Sequence, residues 1–89
     1  MVTDQSEQQK LLDPARVRYQ CRRGMLELDV FLGPFCAAKY HSMDLAQKQH
    51  FVIFLEESDP DIFAWLMKYT VAPDKFQDLA NEIRLFAQG

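Results

Sequence analysis

No apolar run in this chain approaches the roughly 20 residues that a helix needs to cross a bilayer. The polar start, Met1 to Lys10, lacks the apolar stretch of a secretory signal. We therefore expect a cytoplasmic protein with no membrane insertion. Cysteine is scarce: Cys21 and Cys36 are the two, and they read as reduced thiols, with no disulfide to staple the fold. Together with His41 and His50 they form none of the short ligand pairs of structural zinc sites, so no metal is expected. A phosphate loop, a nucleophile elbow and an HExxH helix are all missing, so no catalytic site is expected either. Turn dipeptides of the Asn-Gly kind are absent. That excludes the usual signals of a β-hairpin.

What is present suits a small helical body. Hydrophobic residues make up 48% of the chain and aromatics 12%, enough for one core and too many for disorder. A chain of 89 residues makes a single domain, and at this size only about 60–65% of the unfolded surface is buried. Little volume is left for a deep pocket that would lift the pKa of a general acid. The carboxylates Glu56, Glu57, Asp59 and Asp61 therefore read as solvated caps.

Charge is unevenly spread over the net −3. Residues 1–26 carry five basic and three acidic groups, whereas residues 27–89 carry five basic and ten acidic. An acidic chain with one basic corner is a poor nucleic-acid binder, because phosphate contacts supply most non-specific affinity. It suits a protein partner of complementary polarity.

Residues 1–10 should fray, leaving a single helical domain over 11–89. Asp13-Pro14 starts a first helix as N-cap and first helical residue, running to about Arg22 or Arg23 with Leu12, Val17 and Cys21 inward. Gly24 turns the chain. A second helix, Met25 to Lys39, presents Leu28, Phe31, Leu32 and Phe35 to the core and should kink or split at Gly33-Pro34. Ser42 caps a third helix from Met43 to about Glu57, with Leu45, Phe51, Val52, Phe54 and Leu55 inward. An acidic cap at Asp59 before Pro60 opens a fourth helix, Pro60 to Tyr69, burying Ile62, Phe63, Leu66 and Met67, with Trp65 against a neighbouring helix. Asp74 to Gln88 forms the last, where Phe76, Leu79, Ala80, Ile83, Phe86 and Ala87 repeat at helical spacing. The fold class is all-α, a compact bundle of about five short helices.

One segment gathers charge, a glycine break and an apolar pattern: Arg22-Arg23-Gly24-Met25-Leu26-Glu27-Leu28. Gly24 can simply end a helix, and Glu27 can cap the next one or pair with Arg23 four residues away. Two adjacent arginines beside a glycine also offer fork-shaped donors and bare backbone to an acidic or backbone-rich partner surface.

Arg23-Gly24-Met25-Leu26-Glu27 resembles the RGxxE signature of the small succinate dehydrogenase assembly factors, or flavinylation factors, and Cys21 to Asp29 is similar to their bacterial branch. A second block, Asp59-Pro60-Asp61-Ile62-Phe63-Ala64-Trp65-Leu66, resembles that family's D-x-D-[LIF]-x-x-W-[LM]. The resemblance spans about Ala15 to Phe86. It implies a five-helix domain that binds the flavoprotein subunit of succinate dehydrogenase, and of fumarate reductase where present, and promotes covalent attachment of FAD to it. The factor would be a monomer when free and hold no cofactor of its own. Arg23, Gly24 and Glu27 carry over as contact residues, with Arg16, Tyr19, Arg22 and Met25 as expected neighbours in the patch. Two other readings stay open: an antitoxin-like role, and a small DNA-binding module built on the arginine-rich first helix.

Overall fold

The computed structural model describes residues 12–88, so the expected fraying of residues 1–10 lies outside the described residues. The elements are α1 (Pro14–Gln20), α2 (Leu26–Lys39), a 3-10 turn (Tyr40–Ser42), α3 (Leu45–Leu55), α4 (Asp59–Leu66) and α5 (Asp74–Gln88), with no strand among the described residues. The all-α expectation stands.

Local chemistry sets the starts. Asp13 accepts the Arg16 amide at 3.1 Å and Pro14 occupies the first helical position, as expected. α3 begins two residues later than the sequence suggested. Asp44, not Ser42, is its N-cap and forms a reciprocal capping box with Gln47, whose amide donates to Asp44 at 2.8 Å. Ser42 instead donates to the Lys39 carbonyl, closing the 3-10 turn. At α4 the N-cap is Ser58 rather than Asp59, and Asp59 moves inside the first turn, where a carboxylate favours the helix dipole.

Two boundaries correct the sequence reading more sharply. α2 runs unbroken through Gly33-Pro34. Pro34 and Val30, whose carbonyl it cannot serve, are both exposed, so water can take the freed acceptor. α4 stops at Leu66 rather than Tyr69, because Lys68 adopts φ +63. The Lys68 amide then donates to the Trp65 carbonyl and the Tyr69 amide to Ala64 at 2.8 Å, while the Phe63 and Tyr69 rings meet edge to face at 5.9 Å. This is a Schellman stop with its accompanying apolar contact, built on lysine where glycine is usual.

The core lies between α2, α5 and the shorter helices. Phe54, Trp65 and Phe76 form an aromatic triangle with centroids 5.3–5.9 Å apart. Phe35 bridges Phe51 and Phe86, each at 5.8 Å. Tilted and edge-on pairs of this kind add to the burial itself. Trp65 is in the core, as expected, whereas Leu45, Met67 and Ala87 are exposed and Phe63 and Phe86 only half-buried. Periodicity assigned them to the inner face, but Leu45, Met67, Phe86 and Ala87 lie at or just past helix ends, where fewer elements cover the chain.

Candidate functional site

The segment between α1 and α2 is held chiefly by one side chain. Arg23 turns its guanidinium into the molecule, where its side chain is only 13% exposed. Nη1 donates to the Gln20 carbonyl at 3.0 Å, and Nη2 donates to the carbonyls of Leu55 at 2.6 Å and Glu57 at 3.0 Å. Nε lies 3.0 Å from Asp59 Oδ1, an ion-pair distance at which its N–H is not aligned for a hydrogen bond. Those carbonyls sit at the C-terminal ends of α1 and α3, where helices leave acceptors unserved. A planar fork can reach several at once. One arginine thus closes two helix ends and ties them to the first turn of α4.

The loop is fixed from its other side by Asp29, whose Oδ1 accepts the Arg23 amide at 2.8 Å. Between these anchors Gly24 takes φ +78, a conformation that costs a residue with a Cβ roughly 1–2 kcal/mol. A Cβ built there would meet nothing within 4 Å. The glycine is therefore required by backbone conformation, and its open side faces solvent. Glu27, the second residue of α2, is exposed and pairs with no group among the described residues. Neither structural role suggested for it, as a cap or as a partner of Arg23, is realised: the start of α2 has no side-chain cap, and the carboxylate beside the Arg23 guanidinium is that of Asp59.

The sequence-derived patch divides accordingly. Gly24, Glu27, Arg22, Arg16 and Tyr19 are exposed, Tyr19 by 73%. Met25 is half-buried and packs against the core. Arg23 belongs beneath this surface, as the brace that shapes it. Sequence reasoning missed Asp29 and Asp59 as its partners, although Asp59 opens the second signature block. The Arg23–Asp59 contact joins the two blocks in space.

Behind the loop, Cys21 and Cys36 are buried thiols. Contact with Cys36 and burial hold the Cys21 thiol above its ordinary range; the same contact favours Cys36 as the member of the pair that ionises, against its own burial. Neither is placed as an exposed nucleophile. Among the described residues no group of three or more His, Cys, Asp or Glu side chains gathers to hold a metal. His50 is half-buried, its ring tilted against Phe76 with centroids 5.4 Å apart. No helix is long and apolar enough to cross a membrane among the described residues.

The family described as "Flavinator of succinate dehydrogenase" matches residues 15–87. A protein named FAD assembly factor SdhE from Francisella tularensis is 44% identical over 68 residues, covering 76% of this chain and 72% of that protein. Its namesake from Shewanella oneidensis is 48% identical over 65 residues, covering 73% and 79%. That of Idiomarina loihiensis is 39% identical over 84 residues, covering 94% and 91%. With both signature blocks in place and joined through Arg23, this chain belongs to the family of succinate dehydrogenase flavinators.

Proposed function

We propose that this chain binds the flavoprotein subunit of succinate dehydrogenase, and of fumarate reductase where one is present, and promotes covalent attachment of FAD to it. The family match over residues 15–87 supports the client, and the exposed, open-sided Gly24 supports the docking edge. The chain acts in the cytoplasm as a monomer before docking, holds no cofactor and supplies no catalytic group. Gly24, Met25 and Glu27 meet the client directly, with Arg16, Tyr19 and Arg22 at the margin, and Arg23 sets their geometry from below.

Such a helper works by differential binding. It shifts the client toward the conformer it binds best, by no more than its difference in affinity for the alternatives. Holding reacting groups in place lowers a barrier by several kcal/mol without a chemical group from the helper. Backbone at Gly24 can approach the client closely because no side chain projects there.

Gly24→Arg tests this. The loop has room for the side chain, so helical circular dichroism should persist while covalent flavin on the client, read as in-gel fluorescence after denaturing electrophoresis, falls sharply. Gly24→Asn keeps a residue tolerant of positive φ and adds bulk, separating backbone strain from blocked approach. Full covalent flavin with a folded Gly24→Arg chain, or in cells lacking the gene altogether, would overturn the proposal.

A further inference from the structure

One surface feature is not absorbed by the docking edge. Val30, one turn beyond Leu26 on α2, is 60% exposed, and with Phe31, Met67 and Ala87 it lines an open trough of about 490 Å³. Lys68 and Arg84 line the same trough. Arg84 donates to the Trp65 carbonyl and the Asn81 side chain, and neither cation meets a carboxylate: the one ion pair among the described residues is Arg23 with Asp59. In a chain of net charge −3, this is an apolar surface beside two positive charges that meet no carboxylate among the described residues.

Lys68 supplies a second, independent observation. It sits at φ +63, where a Schellman stop favours glycine. A lysine held at positive φ at a helix stop, on the rim of an apolar trough, points to a role other than stability.

Position relates the trough to the docking edge. α4 is eight residues long, about 12 Å, with the Arg23–Asp59 brace at its start and Lys68 just past its end. A standard interface covers about 800 Å² per partner, so one bound protein can span both.

We propose that this trough is a second contact for the same client, receiving a segment that seats an apolar side chain on Val30 and Met67 and turns an adjacent carboxylate toward Lys68 and Arg84. The inference rests on the function proposed above. The apolar contact supplies affinity, and the charges supply orientation and rate of encounter.

The test measures binding of the purified apo-flavoprotein subunit to the wild-type chain and to Val30→Asp, Lys68→Glu, Lys68→Gly and Gly24→Arg, at low and at high salt. Val30→Asp and Lys68→Glu should each weaken binding about tenfold or more with the fold intact. Lys68→Gly should melt higher than wild type and still bind more weakly, with a loss that shrinks as salt rises. That opposition of stability and binding is not expected of a merely structural lysine. Wild-type binding by all three trough variants, with loss only in Gly24→Arg, would overturn this inference and leave the docking edge standing. Loss in none of the four would remove both. Should the wild-type chain sediment as a dimer that Val30→Asp dissociates, the trough belongs to a second copy and the inference fails.

Discussion

Replacing Arg23 by alanine removes hydrogen bonds to the Gln20, Leu55 and Glu57 carbonyls and the contact with Asp59 in one step. A hydrogen bond from a charged donor contributes about 1.5–3 kcal/mol. The four do not add, because they share one guanidinium, and because Glu57 and Asp59 are partly exposed, so water replaces part of the loss. Leu55 is buried and stands to lose most. We expect a loss of about 3 kcal/mol, against a total of about 4–13 kcal/mol for a chain of this length. Arg23→Lys keeps the charge without the fork and should lose about 1–2 kcal/mol. Glu27→Ala, at an exposed and unpaired position, should stay within about 0.5 kcal/mol. Urea titrations followed by circular dichroism at 222 nm measure all three, and at about 4–8 °C per kcal/mol the melting temperature of Arg23→Ala should drop by about 10–25 °C. An Arg23→Ala chain as stable as wild type that nevertheless fails in flavinylation would refute the brace and make the guanidinium a contact group.

Gly24→Ala should lose about 1–2 kcal/mol through positive φ alone, since its methyl meets no neighbour; a neutral result in urea would show that the loop re-forms at negative φ. Lys68→Gly should gain about 0.5–1 kcal/mol, and an unchanged urea midpoint would argue against strain at the α4 stop. Burial first, then the neighbouring Cys36 and Asp13, raise the Tyr40 phenol above its ordinary value of 10.0, and its hydroxyl donates to the Leu12 carbonyl. A raised folded-state value means that this stabilisation is complete below pH 10 and is lost as pH climbs through the higher value. Tyr40→Phe should therefore be less stable than wild type near neutrality, with the gap closing in alkaline denaturation curves; a gap that is constant with pH would contradict the assignment.

Much of the architecture could be read from residue order. Asp13-Pro14 announced a helix start, the spacing of Phe76, Leu79, Ala80 and Ile83 announced the buried face of α5, and the two signature blocks announced the family. These are local signals, expressed within a few residues of one another. Other features were legible in outline and wrong in detail. Asp44 with Gln47 outcompetes Ser42 as a cap because two reciprocal bonds beat one.

What tertiary structure alone decided is where the charged side chains go. The local Gln20 carbonyl does not by itself tell that Arg23 turns inward, since its other two carbonyl acceptors lie 32 and 34 residues further along the chain. Nor does sequence say that Asp59 rather than Glu27 receives it, or that Lys68 takes a left-handed conformation, or that Val30 is left uncovered beside Met67. Helical periodicity ranks faces by polarity, but which stripe of a short helix is covered depends on the neighbours that pack on it. An arginine's partners likewise exist only once several chain ends have been brought within reach of one planar group.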